Sequence, residues 1–171
     1  DVIAGDIDEN IVKARDVQFK QMDLNATLPF NDNSLDFVIN VEGLEHLENP
    51  HHTIEEFDRV LKSGGKLIMT TPNVLNIFSR IRYLMIGYHA HFGDYYANED
   101  NFYVLHINPV GFPEIDFALR KTDLVIEKVT MNQDVRVIRG RIVGMFLEFC
   151  ALLTRAVSKR KIQNERMMEY L

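Results

Sequence analysis

Residues 36–73 constrain the fold most, because they alternate a strand pattern, an acidic loop, a helix pattern, a glycine turn and a second strand pattern. Residues 35–41 are nearly all apolar, which is typical of a strand buried on both faces of a parallel sheet. Residues 50–61 place their apolar side chains on one helical face, a Ser-Gly-Gly turn ends that pattern, and residues 66–70 form the next strand. Strands that alternate with helices predict an α/β fold with a doubly wound, mostly parallel sheet.

The same reasoning gives the other elements of the chain. Period-two or continuous apolar runs predict strands, and apolar residues recurring every three to four positions predict helices. Strands are predicted over residues 2–4, 17–22 and 124–131, and helices over 11–15, 73–85, 113–121 and 141–161.

Composition narrows the functional classes. The net charge of −6 argues against nucleic acid as a partner of the whole surface. The single cysteine, Cys150, excludes an intramolecular disulfide and any CxxC motif, which favours a cytoplasmic setting. The helix predicted over 141–161 is interrupted by charged residues and is too short in its uncharged stretch for the ~20 apolar residues that a membrane span needs.

Two predicted strands end at aspartates, Asp6 and Asp23. A carboxylate at the tip of a parallel strand can accept both hydroxyls of a ribose, and a second one can accept an amine proton from an adenine ring. Single aspartates of this kind are common turn residues. Because the two end adjacent strands, the pattern favours a nucleotide-type site.

A series of linked motifs then follows in order along residues 1–73. They are Ala-Gly-Asp6-Ile-Asp-Glu-Asn, Met-Asp23-Leu, Leu-Pro-Phe-Asn-Asp-Asn-Ser-Leu-Asp36-Phe-Val-Ile-Asn, Glu-His46-Leu-Glu-Asn-Pro, Arg-Val-Leu-Lys-Ser-Gly-Gly-Lys and Thr-Pro-Asn73. This series resembles the class I S-adenosylmethionine-dependent methyltransferases of the small-molecule type. The resemblance implies a Rossmann-like fold, S-adenosyl-L-methionine as cofactor and methyl transfer as the activity.

The resemblance also implies the cofactor-binding residues. By position, Asp6 would take the ribose hydroxyls and Ile7 would lie against the adenine. Asp23 would take the adenine amino group, with Leu24 packing or hydrogen-bonding beside it. Asn40 would approach the methionine end of the cofactor.

The chain departs from the family pattern in one respect. The glycine-rich loop of these enzymes belongs to a strand that precedes the first strand found here, and no stretch of this sequence matches it. We therefore expect an N-terminally truncated methyltransferase domain over residues 1–138, without its first strand and glycine loop. Residues 139–171 are expected to form a C-terminal amphipathic helical extension.

The acidic loop contains Glu42-Gly-Leu-Glu45-His46. In a helical turn, this spacing places all three polar side chains on one face. The segment resembles the Glu-x-x-Glu-His segment of ubiquinone-pathway O-methyltransferases and small-RNA 2′-O-methyltransferases, which implies a divalent metal ion, with His106 as a further ligand. The alternative is that the segment shapes the substrate mouth without a metal. In a methyltransferase, His46 with Glu42 or Glu45 would take the acceptor proton, directly or through a metal.

Two further segments bear on the acceptor. Residues 88–112 are irregular, aromatic and rich in histidine, which indicates a substrate lid. The apolar face and basic flanks of 141–161 fit either a helix buried on the domain or in a homodimer, or an interfacial helix at the inner face of an anionic membrane.

The sequence thus predicts a methyltransferase acting on a small-molecule or lipid-linked acceptor, most readily at oxygen. Two other classes stay open: a non-catalytic nucleotide-type binding or regulatory module of the same fold, and a nicotinamide-dependent oxidoreductase.

Overall fold

The computed structural model describes residues 1–10, 17–93 and 105–130 of the chain. These residues form four strands and three α-helices, and a single 3-10 turn follows the third strand. In chain order the elements are β1 (Ile3–Asp6), β2 (Gln18–Gln21), β3 (Leu35–Val41), the 3-10 turn Leu44–His46, α1 (Pro50–Val60), β4 (Leu61–Thr70), α2 (Ile77–Ile86) and α3 (Phe112–Leu119). The helix predicted over 11–15 lies outside the described residues.

The strands pair in two parallel ladders. β1 pairs with β2, with Ile3 opposite Gln18, and β3 pairs with β4, with Val38 opposite Leu67. Parallel neighbours need a crossover connection, which α1 supplies between β3 and β4. β4 starts five residues before its predicted beginning, because Leu61 already pairs with Leu35 and Gly64 takes up the ensuing irregularity at a φ of +79°.

Helix α1 begins where the sequence predicts. The Asn49 side chain accepts a hydrogen bond from the His52 amide at 3.2 Å, and Pro50 occupies the first turn, where its missing N–H costs nothing. Its apolar face is buried against two clusters that flank the helix. One cluster contains Leu44, Leu47, Ile54, Val110, Ile115, Ala118 and Leu119, and the other contains Leu28, Phe57 and Val60.

Strand β3 is buried on one face only. Val38 and Asn40 point towards the packed side of the sheet, whereas Phe37 and Ile39 are 64% and 65% exposed. The prediction that β3 is buried on both faces is therefore wrong for the part of the chain that the structure describes. A continuous apolar run shows that both faces of a strand are apolar. It does not show that another described element packs on each face.

Helix α2 starts at Ile77, four residues after its predicted beginning at 73, because Asn76 forms its N-cap and accepts from the Ser79 amide at 2.9 Å. Gly87 ends the helix in the left-handed conformation. The apolar stripe of the helix is exposed, with Leu84 and Met85 at 86% and 76%. Neither α2 nor another helix within the described ranges has the length and apolar character to cross a membrane.

The strand predicted over 124–131 is absent from its described part. Residues 124–130 pair with no neighbouring strand among the described residues. Leu124 and Ile126 pack against the core cluster near α3, while Val125 is 76% exposed. The period of two therefore reflects an extended segment that packs on one side. Residues 139–171, the predicted helical extension, lie outside the described ranges.

Candidate functional site

The tips of β3 and β4 place the acidic loop. Glu42 follows β3 directly, and its amide donates to both the carbonyl and the Oγ1 of Thr70, each at 3.1 Å. These bonds hold Glu42 at a φ of +49°, a left-handed conformation that is uncommon for a residue with a side chain. Backbone strain of this kind is concentrated at functional sites.

Glu45 lies in the 3-10 turn and is fully buried. Its Oε2 accepts from the Thr71 hydroxyl at 3.4 Å, and its Oε1 is buried without a hydrogen-bond donor among the described residues. Burial raises the pKa of the Glu45 carboxyl to about 7, and the nearby Glu42 carboxylate adds to the rise. A carboxyl with such a pKa can exchange a proton near neutral pH.

The segment 105–108 is hydrogen-bonded to the 3-10 turn, although the two are more than fifty residues apart in the sequence. The amides of Ile107 and Asn108 both donate to the Glu45 carbonyl at 2.9 Å. Nδ1 of His46 lies 3.0 Å from the Leu105 carbonyl, so it carries the proton and donates. This bond leaves Nε2 as the atom of His46 that can accept a proton or bind a metal.

These contacts bring His106 beside His46. The two rings meet edge to face with their centroids 4.6 Å apart, and Nδ1 of His106 is buried without a hydrogen-bond partner in the described part of the chain. Burial lowers the pKa of His106, and the proximity of His46 lowers it further, which favours the neutral imidazole that metals bind.

One ligand atom from each of Glu45, His46 and His106 lies within 4.8 Å of the others. Two imidazoles and a carboxylate are a donor set that divalent transition metals accept. The structure therefore places together three of the four side chains that the sequence suggested for a metal. Glu42 lies close enough to raise the pKa of Glu45 but is not part of this three-residue group.

The predicted cofactor acids lie at the ends of neighbouring strands. The Met22 amide donates to the Asp6 carbonyl at 2.9 Å, which keeps the ends of β1 and β2 together. Each carboxylate accepts from a backbone amide two residues ahead, Asp6 from Asp8 at 3.0 Å and Asp23 from Asn25 at 2.8 Å. Both acids therefore also form the local turns that aspartates commonly form.

The remaining predicted cofactor residues differ in their surroundings. Ile7 is half-buried, and its carbonyl accepts from Gln21 Nε2 at 3.0 Å. Leu24 packs against both core clusters, and its carbonyl accepts from the Thr53 hydroxyl at 2.8 Å. Asn40 is buried, and its Oδ1 has no partner among the described residues. A Cβ at Gly43 would lie 2.5 Å from Asn40 Nδ2, so this glycine allows the amide its position.

Sequence reasoning missed three residues of the site. Thr70 and Thr71 hold the two acidic residues of the loop, and Phe92 packs against His106 with ring centroids 5.3 Å apart. The threonines end a predicted strand in Thr-Thr-Pro-Asn, which was a usable signal. Phe92 carried no signal, because its role depends on contacts between distant segments.

Comparisons with known proteins bear on the family and the fold of the chain. Residues 1–69 match a family model described as a methyltransferase domain. A "probable S-adenosylmethionine-dependent methyltransferase" of Mycobacterium tuberculosis is 40% identical over 76 residues, which are 42% of this chain and 28% of that protein. A demethylmenaquinone methyltransferase of Bacillus cereus is 38% identical over 76 residues, 39% of this chain and 32% of that protein. The chain thus spans about a third or less of each of these relatives.

Solved structures support the fold. An S-adenosylmethionine-dependent methyltransferase from Archaeoglobus fulgidus superposes with a TM-score of 0.54 at 18% identity, covering 90% of this chain and 69% of that one. A second one, from Thermotoga maritima, gives a TM-score of 0.51 at 22% identity over 70% of this chain and 53% of that one. These likenesses confirm the Rossmann-like α/β class, and the matched family model shows that residues 1–69 are similar to a methyltransferase domain.

Proposed function

We propose that this protein transfers the methyl group of S-adenosylmethionine to a hydroxyl oxygen of a small-molecule or lipid-linked acceptor. The observation that carries the proposal is the group of buried Glu45 and half-buried His46 and His106, which lies just beyond the tip of β3. Two of its polar atoms, Glu45 Oε1 and His106 Nδ1, are buried without partners among the described residues. Unpaired buried polar atoms are costly, so a ligand that engages them is the simplest reason for their arrangement.

The strand tips supply groups that fit the methyl donor. The carboxylate of Asp6 would hold the ribose hydroxyls, with Ile7 against the adenine, and Asp23 would accept from the adenine amino group beside Leu24. The unpartnered Oδ1 of buried Asn40 is a suitable acceptor for the ammonium group at the methionine end. When bound, S-adenosylmethionine supplies an electrophilic methyl group on a sulfonium.

The chain's own residues manage the acceptor proton. His46 has its Nδ1 proton fixed on the Leu105 carbonyl, so Nε2 is the atom that can receive the hydroxyl proton. Glu45, with a pKa of about 7, can take up the same role or stabilise the protonated imidazole. As the methyl–oxygen bond forms, the methyl–sulfur bonding electrons remain on sulfur and the hydroxyl proton passes to this base. Catalysis then comes mainly from positioning.

We include a divalent metal ion in the proposal as a second mode of activation. Glu45, His46 and His106 would hold it, and Glu42 is a further candidate at the open side of the group. The present spacing of up to 4.8 Å between ligand atoms is wider than the roughly 3–4 Å of a compact tetrahedral or octahedral site. A modest side-chain movement would close that difference. A bound metal would act as a Lewis acid on the acceptor oxygen.

The acceptor class remains the broadest part of the proposal. The relative from Bacillus cereus is named for its action on demethylmenaquinone, which supports an acceptor of that general kind. The segment 88–112, predicted as a lid, would set specificity. Peripheral membrane contact, or a homodimer, through 141–161 remains a prediction for residues outside the described ranges, and liposome flotation of a variant with Arg139 and Arg141 neutralised tests the membrane alternative.

Calorimetric titration separates the three functional classes. We expect the protein to bind S-adenosylmethionine and not NAD, and to transfer a radiolabelled methyl group to a hydroxylated aromatic acceptor. Binding of S-adenosylmethionine without transfer to any acceptor would favour a regulatory module. Binding of NAD alone would favour an oxidoreductase and reject the proposal.

Chelation tests the metal. If a divalent ion contributes, dialysis against a chelator lowers the transfer rate and added Mn²⁺ or Zn²⁺ restores it. The variant Glu45→Ala should lose this stimulation. A transfer rate that is indifferent to chelators would remove the metal and leave His46 and Glu45 as the base.

A further inference from the structure

The loop that follows α2 is fastened to the helix by a buried serine. Ser79 is fully buried, and its Oγ accepts from the Ala90 amide at 3.0 Å. The same Oγ lies 3.1 Å from Nδ1 of His89. Ser79 is the one buried residue of α2, since the apolar stripe of this helix is exposed. Helix α2 is therefore buried mainly where the loop that follows it packs against Ser79.

Arg82 fastens the next part of the loop. Its Nη1 donates to the His89 carbonyl and, at 3.1 Å, to the Phe92 carbonyl. Tyr83 stacks on the His89 ring with centroids 4.6 Å apart and an interplanar angle of 21°. One helical turn thus fixes both ends of the span from His89 to Phe92.

The fastened loop delivers Phe92 to the candidate site. Phe92 is 3% exposed, and its ring meets that of His106 at 5.3 Å with an interplanar angle of 60°. His106 in turn meets His46 at 4.6 Å. A continuous series of ring contacts therefore leads from the fastened loop to the acid–base group.

We propose that Ser79 and Arg82 are positioning residues, which hold Phe92 against His106 and thereby fix the His106 ring in the acceptor site. This inference rests on the proposed function, since it assigns a role to the wall of that site. Nδ1 of His106 is buried without a partner in the described part of the chain, so no hydrogen bond to that atom orients the ring. The ring is held instead by a hydrogen-bonding contact with the backbone of His91, which lies in the fastened loop, and by the packing of Phe92.

Three substitutions on one helix test the assignment. Arg82→Met removes both bonds to the loop carbonyls while keeping the aliphatic stem. Arg82→Lys keeps one charged donor and should recover part of the function. Arg80→Met is the matched control, since it removes the same charge from the same helix and Arg80 makes none of the described bonds to this loop.

Three measurements are made on each protein. The melting temperature reports folding, and the nuclear Overhauser effect between the Phe92 and His106 rings reports their contact. Steady-state kinetics give kcat and the separate KM values for acceptor and S-adenosylmethionine. We expect Arg82→Met to lose the ring contact and to lower kcat/KM for the acceptor by roughly 10- to 100-fold. The reason is that small displacements of the groups that position the reacting atoms slow the reaction strongly. The KM for S-adenosylmethionine should stay constant, since its predicted ligands lie on other strands.

The inference would be overturned by an Arg82→Met protein that keeps the ring contact, or by one that loses it with unchanged acceptor kinetics. A drop in kcat/KM of equal size in Arg80→Met would point to a general effect of charge and would also reject it. Should Arg82→Met fail to fold, Ser79→Ala makes the same comparison with a smaller change. If the wild-type protein transferred no methyl group, the proposed function would fail, whereas the ring contact would still decide whether the loop positions His106.

Discussion

The proposed acceptor side of the candidate site contains Glu45, His46 and His106 and is held by hydrogen bonds between residues about 60 positions apart. On the proposed donor side, the carboxylates of Asp6 and Asp23 accept hydrogen bonds from residues two positions away. His46 Nδ1 donates to the Leu105 carbonyl, and Asn108 Nδ2 donates to the Leu47 carbonyl. At the donor side, Asp6 and Asp23 accept from amides in their own turns. Burial differs less: Glu45 is buried and His46 and His106 are half-buried, while Asp6 is half-buried and Asp23 is exposed.

The two sides of the site differ in how the orientation of their side chains is fixed. Long-range bonds fix the orientation of buried groups before a ligand arrives, and this preorganisation favours proton transfer and charge stabilisation. Local turns hold a carboxylate near a strand tip and leave it free to adjust to a ligand. A base must be placed in advance, whereas residues that bind a large cofactor can share the adjustment with it.

His46→Ala should give the largest effect on the acceptor side. It removes the group whose Nε2 we propose as the base, so kcat/KM for the acceptor should fall by roughly 100- to 1,000-fold, as is typical when a general base is lost. Steady-state kinetics with saturating S-adenosylmethionine measure this. His51→Ala is the control, because His51 lies on α1 and pairs with Glu114 at 3.6 Å.

S-adenosylmethionine affinity separates the two sides in the same variant. We expect its dissociation constant to change by less than about twofold in His46→Ala, since a change of 1.4 kcal/mol would be tenfold. A transfer rate that survives in His46→Ala would reject His46 as the base and leave Glu45 as the remaining candidate.

Arg59→Met tests whether long-range hydrogen bonds away from the candidate site affect stability without affecting activity. Arg59 donates to the carbonyls of Leu28 and Phe30 and to the carboxylates of Asp32 and Glu56, so it joins α1 to the loop after β2. Hydrogen bonding to Arg59 lowers the pKa of Glu56, which marks a favourable pair. Its loss leaves the buried Glu56 carboxylate without its cationic partner and with only the Leu28 amide donating to it at 2.7 Å, which should lower the free energy of unfolding by about 2–4 kcal/mol.

Urea denaturation at pH 7 measures the loss. Acceptor kinetics at a temperature where both proteins are folded should be unchanged, since Arg59 touches neither side of the site in the described residues. Lys62→Met is the matched control, because the pair of Lys62 and Asp36 is exposed and should contribute less than about 1 kcal/mol. Equal losses of unfolding free energy in Arg59→Met and Lys62→Met would contradict the expectation that the pair of Arg59 with buried Glu56 contributes more than the exposed pair of Lys62 and Asp36.

The sequence predicted the donor side better than the acceptor side, for a physical reason. Strand ends follow from apolar periodicity, and β3 was placed at its observed bounds, so residues such as Asp6 and Asn40 could be assigned to strand tips without tertiary information. His106 was a plausible partner of His46 only by resemblance, and the structure brings the two rings together. Phe92 could not be found, because ring contacts between distant segments leave no periodic trace.

Burial of strand faces was the least predictable property. Phe37 and Ile39 are as apolar as core residues and are nevertheless exposed. Apolar composition states what a side chain would gain from a neighbour and does not identify that neighbour. The same applies to the stripe on α2, where Leu84 satisfies the helical pattern without contacting a core.

Glu45→Gln sharpens the comparison through pH. Burial raises the pKa of Glu45 from 4.5 to about 7, so between these values the folded protein binds a proton that the unfolded chain has released. Stability from this group is therefore lost as the pH rises from about 4.5 to about 7. Glutamine stays neutral, so we expect Glu45→Gln to be more stable than the wild type at pH 8 by about 1–3 kcal/mol, and the two to converge near pH 4.

Thermal denaturation from pH 4 to pH 8 in a chelating buffer measures the difference. The control is Glu55→Gln, since Glu55 is exposed on α1 and should give a constant offset across the range. A stability difference for Glu45→Gln that does not vary with pH would mean that folding leaves the pKa of Glu45 unchanged, and would contradict its assignment as a group that exchanges a proton near neutral pH.

Asp23→Ala should have the smallest effect and tests the donor side by itself. The side chain is exposed and accepts only from its own turn, from the amide and the Nδ2 of Asn25. Its loss should change the free energy of unfolding by less than about 0.5 kcal/mol.

If Asp23 accepts from the adenine amino group, the dissociation constant for S-adenosylmethionine rises by about tenfold, the equivalent of one hydrogen bond to a charged group. Calorimetry with Asp32→Ala as the control decides this, since Asp32 lies in the loop held by Arg59. An affinity that is unchanged in Asp23→Ala would return this residue to the role of a turn-forming aspartate, and the nucleotide-type reading of the donor side would then depend on Asp6 and Asn40.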